Sequence, residues 1–352
     1  MKRRLIIVQA VALLLLALAS CSAKPEKSKV TVFAMDTVIY LEAYGEGAQA
    51  ALDEAAEKLY FLDELLSATK EDSEISKINK SAGSFVPISD EVIKQLEAAL
   101  EVSRRSGGAF DVSVLPLVNL WGFGTEGAHV PAAEEIEAAL QYVDYGKIGL
   151  EGSSVRLAQG MSITLGAIAK GYASQELSEM LKGRGISSAI LSLGGNVQAI
   201  GSKPDGLKWR VALRDPVSAA ETAGVFELSD MAAVTSGGYE RYFEQDGKVY
   251  HHILDPKTGY PAEGGLISVT IVCDNGMTAD ALSTALFVLG EDKAIEYWRD
   301  YGGFEAVLIT DDGRMLVTEG LRDSFKKSGE SYSLLYVTRN GGDKCVKYQT
   351  GR

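Results

Sequence analysis

A chain of 352 residues with 46% hydrophobic content can build one large or two medium domains around a sizeable core. Its formal charge of −13 argues against a nucleic-acid partner, which would need a basic face. Three cysteines are too few for a disulfide framework, and no Cys/His spacing fits zinc.

The N-terminus begins with Lys2, Arg3 and Arg4, followed by an apolar run from Leu5 to Ala19. That run is short for a membrane span of about 20 residues and fits a secretory signal, with a transmembrane anchor as the alternative. Leu18-Ala19-Ser20-Cys21 resembles a bacterial lipobox. The resemblance implies cleavage after residue 20, a lipid on Cys21 and a polar tether over residues 21–29. It implies an extracytoplasmic protein, lipid-anchored to a bacterial membrane.

Next, KVTVFAMDTVIYLEAYG alternates as a strand does. Apolar residues at helical spacing predict a helix from Gly47 to Leu66. A second helix is predicted from Asp90 to Arg105, capped by Ser89 and stopped by Gly107-Gly108, and a short one from Ala132 to Val143. From Gly166 the stripe Ala169, Ala173, Leu177, Met180 and Leu181 reads as a helix ended by Gly183 or Gly185. Short strand-like runs follow (SAILSLGG, WRVALRD, GVFELS, AAVTS, VYHHIL, ISVTIVC). Helices from Met277 to Leu289 and Asp292 to Tyr301 come next, then a hairpin across Asp311-Asp312-Gly313. Strands in hairpin-length succession with grouped helices predict an α+β fold, mostly antiparallel sheets with flanking helices in one large domain over residues 30–340, with 341–352 as a tail.

Several segments carry chemistry. Asp280 and Thr284 share a helical face, with Ser283 beside them. They either cap the helix or offer oxygens to a hard cation, Mg²⁺ or Ca²⁺ rather than zinc. Gly166-Ala167-Ile168-Ala169-Lys170-Gly171 places small residues and one cation at a helix start, which suits either packing or a phosphate. Ser192-Leu193-Gly194-Gly195-Asn196 and Thr235-Ser236-Gly237-Gly238-Tyr239 are ordinary turns or the lining of an anionic pocket. Gly107 to Gly124 brings Trp121 and Phe123 between glycines, as a core corner or as walls for a flat heterocycle. His251 and His252 are two of only three histidines and enter an Asp-Pro-Lys-Thr-Gly-Tyr-Pro turn. On a strand they face opposite sides, so only one can face a given pocket, either as a satisfied half-buried residue or as a proton carrier near neutral pH. Cys273 ends an apolar run and reads as a core thiol.

Taken in order, eight segments resemble the FAD:protein FMN transferases, also called ApbE-like flavin transferases. They are AMDT at 34–37, DSEISKIN at 72–79, GGAFDVSVLPLVNLWGFG at 107–124, LGAIAKGYA at 165–173, SLGGN at 192–196, TSGGYERYF at 235–243, HHILDPKTGYP at 251–261 and TADALSTALFVLG at 278–290. The resemblance spans about residues 30–320. It implies Mg²⁺-dependent transfer of FMN from FAD to a Thr or Ser hydroxyl of an acceptor protein, as a phosphoester, with release of AMP. It implies metal ligation by Asp280, Thr284, Ser283 and the Ala167 carbonyl, with Ca²⁺ as a second candidate ion. His252 matches the catalytic histidine. Met35, Ala109, Phe110, Asp111, Lys170 and Ile253 match FAD contacts, and Thr164 stands at a further FAD-contact position where the family commonly has Asp. This chain departs from the family pattern at Asp36, Thr69, Thr164 and Gln175. It carries no Asp-x-x-Thr/Ser-Gly-Ala-Thr/Ser acceptor motif, so it is expected to act on another protein. Two other readings stay open: an FAD pyrophosphatase on the same scaffold, and a non-enzymatic flavin-binding lipoprotein.

Overall fold

The structure, a computed structural model, describes residues 25–81, 83–340 and the main chain of 344–345. The signal segment and Cys21 lie outside the described residues. Among those described, no helix is long and apolar enough to cross a membrane.

One ten-stranded sheet organises the molecule. Its strands run in the order Lys27–Ala34, Thr37–Tyr44, Ala189–Leu193, Asn196–Ile200, Ala232–Gly237, Leu266–Cys273, Glu305–Thr310, Arg314–Thr318, Ser333–Val337 and Lys344–Cys345. Every neighbouring pair is antiparallel except Arg314–Thr318 with Ser333–Val337. The expected α+β architecture is therefore what the chain adopts.

The first strand-like run is two strands, not one. Met35 and Asp36 take φ of 53° and 57° and turn the chain back, so that Ala34 pairs with Thr37 and Lys27 with Tyr44. A two-residue hairpin turn of type I′ has positive φ at both central positions, which Asp tolerates better than most residues.

Seven helices are described: α1 (Ala48–Leu66), α2 (Glu74–Lys80), α3 (Asp90–Arg105), α4 (Leu115–Trp121), α5 (Ala133–Leu140), α6 (Ala169–Gly183) and α7 (Gly276–Tyr301). Ser89 caps α3, its side chain accepting the Val92 N–H, as the sequence predicts. The stripe of α1 (Leu52, Ala55, Leu59, Leu62) is fully buried against the sheet, each leucine contributing roughly 1.5–3 kcal/mol. The two helices expected after residue 276 are arms of α7, joined at Gly290 with φ 76° and ψ 175°. Gly290 is required there, because a Cβ would lie 2.8 Å from the Gly264 carbonyl oxygen.

The opposite sheet face carries a second core under a small sheet of Phe325–Lys327, Thr222–Leu228 and Trp209–Arg214. A third apolar cluster joins α4, α5 and the hairpin Tyr242–Gln245/Lys248–His251. Trp121 is fully buried in it, stacked on Phe123 with centroids 5.5 Å apart. This makes the Trp121 corner part of a core. Cys273 is a buried free thiol whose pKa burial pushes up to about 11.

Candidate active site

The site begins where the N-termini of α6 and α7 cross. α6 starts at Ala169, later than the sequence suggests, and Gly166 to Ile168 form the turn before it. Gly171 packs directly on α7: a Cβ there would sit 2.3 Å from the Gly276 carbonyl oxygen and 2.5 Å from Asp280 Cβ. Its N–H donates to Asp280 Oδ2 at 2.8 Å. In an unbroken helix that N–H would serve the carbonyl four residues back, which is Ala167. The Ala167 oxygen consequently accepts no hydrogen bond among the described residues. Asp280 is only 4% exposed and held in place by this contact.

One turn along α7, three hydroxyls form a chain. Ser283 donates to the Asp280 carbonyl at 2.8 Å and lies 2.7 Å from Ser236 Oγ, which lies 3.2 Å from Thr284 Oγ1. With the Ser283 proton committed, Ser236 donates to Ser283 and Thr284 donates to Ser236. The Thr284 lone pairs stay open, whereas Ser283 is wholly buried and acts on Thr284 through Ser236. The sequence singles out Ser236 only as part of a turn; the strand Ala232–Gly237 gives it this place.

No group of three or more His, Cys, Asp or Glu side chains among the described residues could hold a metal. The open oxygens are one carboxylate, one hydroxyl and one main-chain carbonyl, a set that suits a hard divalent cation completed by ligand oxygens and water. The donors of Asp280, Thr284 and Ala167 fit such an ion.

The two histidines are sorted by their hydrogen bonds. The Arg241 carbonyl accepts the His252 main-chain N–H at 3.0 Å and its ring Nδ1–H at 3.1 Å. A carbonyl cannot donate, so the proton sits on Nδ1 and Nε2 carries a free lone pair. Burial pushes the His252 pKa down to about 4, with Arg241, His251 and Lys170 adding repulsion. His251 is the reverse: Nε2–H donates to the Ala262 carbonyl at 3.1 Å, Nδ1 accepts the Ile253 N–H at 3.3 Å, and the ring meets Phe287 edge-on. The strand ends at His251, so His252 sits just past it. The turn beyond is fastened by Trp121 Nε1, which donates to the Gly259 carbonyl at 2.8 Å.

The other expected contacts are held by local main-chain and side-chain bonds. Thr164 donates its N–H to the Val112 carbonyl, joining its segment to Ala109, Phe110 and Asp111. All three of those residues are buried. The Asp111 carboxylate accepts from Ser113 N, Ser113 Oγ and Tyr145 N, and burial raises its pKa against these bonds. Any contact from it to a ligand is therefore shared with structure. Thr164 Oγ1 accepts the Gly166 N–H. Met35 donates its N–H to Asp63 and presents the hairpin turn. Ile253 is buried, its carbonyl accepting the Ala262 N–H. Gln175, one of the departures, caps α7 by accepting the Gly276 N–H at 3.1 Å. Thr69 is exposed and, among the described residues, its hydrogen bonds go to Ser67.

Glu240 is a residue the sequence reading passes over. Its carboxyl pKa is raised, chiefly by desolvation, while Lys170, Arg241 and Arg214 pull it down and Asp280 pushes it up. A carboxylate thus stands among the cations of the site. The Tyr239-Glu240-Arg241 run within TSGGYERYF was the available signal.

The ApbE family model matches residues 35–308 of this chain. An FAD:protein FMN transferase of Treponema pallidum is 37% identical over 303 residues, covering 81% of this chain and 84% of that protein. One from Escherichia coli K12 is 34% identical over 273 residues, covering 75% of each. Among solved structures, the ApbE protein of Thermotoga maritima superposes with a TM-score of 0.79 at 33% identity, covering 84% of this chain and 98% of that one. The apo flavinyl transferase ApbE of Pseudomonas stutzeri gives 0.75 at 34%, covering 83% and 93%. Fold and sequence define the class as a flavin transferase, an enzyme. The chain belongs to the ApbE family.

Proposed function

We propose that this enzyme transfers FMN from FAD to a Thr or Ser hydroxyl of an acceptor protein, forming a phosphoester and releasing AMP. The carrying observation is the lock on His252: the Arg241 carbonyl holds Nδ1–H and leaves Nε2 a neutral base at physiological pH. Nε2 takes the proton of the acceptor hydroxyl. That oxygen bonds to the phosphorus of the FMN half, and the bond from this phosphorus to the AMP phosphate breaks. General-base assistance of this kind is worth about 10²–10⁴ in rate.

Mg²⁺ is the ion this reading assigns to Asp280, Thr284 and the Ala167 carbonyl. When bound, it supplies charge neutralisation for the pyrophosphate of FAD. Ser236 and Ser283 orient the Thr284 hydroxyl. Lys170, which enters no ion pair among the described residues, adds a cation at the start of α6 for the same phosphates. Leu18 to Cys21 support a lipid-anchored, extracytoplasmic placement. The absence of an acceptor motif in the chain supports action on a separate protein.

The test incubates purified protein with FAD and Mg²⁺, with and without an acceptor domain bearing Asp-x-x-Thr/Ser-Gly-Ala-Thr/Ser. Acceptor-dependent AMP release with in-gel flavin fluorescence is expected. AMP with free FMN and no labelling would mean a pyrophosphatase, and neither product would leave a binding protein.

A further inference from the structure

Asn196 begins the strand Asn196–Ile200, directly after the Gly194-Gly195 turn, and is only 2% exposed. Its Nδ2 is buried and has no hydrogen-bond partner. A buried amide donor left unpaired is rare in folded proteins and calls for a ligand, a water or another cause. The strand's pairing fixes which way it faces. Asn196 stands opposite Val234, whose side chain belongs to the core beneath the helices. Ser236, two residues beyond Val234, reaches Ser283 and Thr284 of α7 from the same face. Gln198, two residues beyond Asn196, reaches the start of α7: its Oε1 would lie 3.2 Å from a Cβ on Gly276. Asn196 therefore faces the layer where α6 and α7 begin, beside Ser236. At the rim, a Cβ on the neighbouring Gly195 would lie 3.4 Å from Glu240 Oε1.

We propose that Asn196 is a ligand-binding residue of this site, its side-chain amide donating to a phosphate oxygen of FAD. The inference rests on the flavin reading above and adds a neutral donor to it. An uncharged amide suits this position, because Asp280 and Glu240 already bring negative charge to the phosphates while Lys170 offsets it. Nδ2 is shielded in the ligand-free protein, so the carboxamide turns toward the ligand as it binds, and donating to a phosphate oxygen satisfies the orphaned N–H₂ only then.

The experiment measures FAD affinity in Mg²⁺ by calorimetry, together with the melting temperature of the ligand-free protein, for the wild type, Asn196→Ala and Asn196→Asp. Asn196→Ala is expected to bind FAD about ten-fold or more weakly, as the loss of one charge-assisted hydrogen bond requires. Its ligand-free melting temperature should not fall, since it removes an unpaired donor. Asn196→Asp keeps the shape and replaces the donor by a carboxylate, so it should bind more weakly still. Unchanged affinity in Asn196→Ala overturns the proposal. So does an Asn196→Asp that binds as well as or better than Asn196→Ala, because shape alone would then account for the residue. A wild type that fails to bind FAD would instead overturn the flavin reading, and this inference with it.

Discussion

His251 and His252 are adjacent in the chain but commit opposite ring nitrogens: His251 donates from Nε2 to the Ala262 carbonyl, and His252 from Nδ1 to the Arg241 carbonyl. Only His252 keeps an uncommitted nitrogen. His252→Ala should therefore leave FAD affinity within about three-fold while slowing transfer by about 10²–10⁴. His251→Ala should act on folding instead, lowering stability by roughly 1–3 kcal/mol through the lost bonds and the void against Phe287. Parallel calorimetric binding, single-turnover transfer and urea unfolding separate the two. Equal effects of both variants on the transfer rate would contradict the division of labour.

The pH dependence has a definite sign. The folded pKa of His252 is about 4, below its ordinary 6.5. Its neutral ring contributes stability that is whole above about pH 6.5 and lost as pH falls through about 4. Burial lowers the His251 pKa in the same direction. The acid limb of the transfer rate should fall well below pH 6.5. A limb centred at or above that value, vanishing in His252→Gln, would show that the ring is not held neutral.

Asp280 has two roles that substitutions can separate. Asp280→Asn keeps an oxygen able to accept the Gly171 N–H, so stability should stay within about 1 kcal/mol of wild type. Its lost charge should reduce metal-dependent turnover by about a hundred-fold or more. Asp280→Ala should lose the turnover and also strand a buried N–H, at a cost of roughly 1–3 kcal/mol. Thermal unfolding beside a Mg²⁺ titration of activity reads both effects. Full activity in either variant would remove Asp280 from the metal site.

Gly171→Ala probes the crossing of the helix starts. The added Cβ would press on the Gly276 carbonyl oxygen at 2.3 Å, and main chain on both sides leaves little room to yield. A loss of about 1–3 kcal/mol is expected, with a parallel fall in Mg²⁺ affinity as α6 shifts against Asp280. Wild-type stability would mean that the two helices are free to separate there.

Local signals made the helices legible. Ser89 before Asp90 and glycines after Arg105 set the bounds of α3, and the stripe from Leu52 to Leu62 set the buried face of α1. The turn at Met35-Asp36 stayed hidden because its positive φ is carried without glycine, so the alternation ran on unbroken. Asp280 and Thr284 could be paired from their spacing alone. The bond from Gly171 to Asp280, 109 residues apart in sequence, depends on two helices meeting at their starts. The same limit applies to Ser236, Glu240 and the choice between the histidines. Each depends on which carbonyl, hydroxyl or charge the fold brings alongside, and spacing does not record that.

The central claim is transfer to a protein hydroxyl with His252 as base and Asp280 at the metal. The most direct measurement is the intact mass of an acceptor domain after incubation with the enzyme, FAD and Mg²⁺, with AMP quantified in the same sample. The predicted result is one FMN per acceptor on its Thr or Ser, matched by an equal amount of AMP, and sharply slowed in His252→Ala and Asp280→Asn. An acceptor of unchanged mass beside stoichiometric AMP and free FMN, or labelling indifferent to both substitutions, would contradict the account.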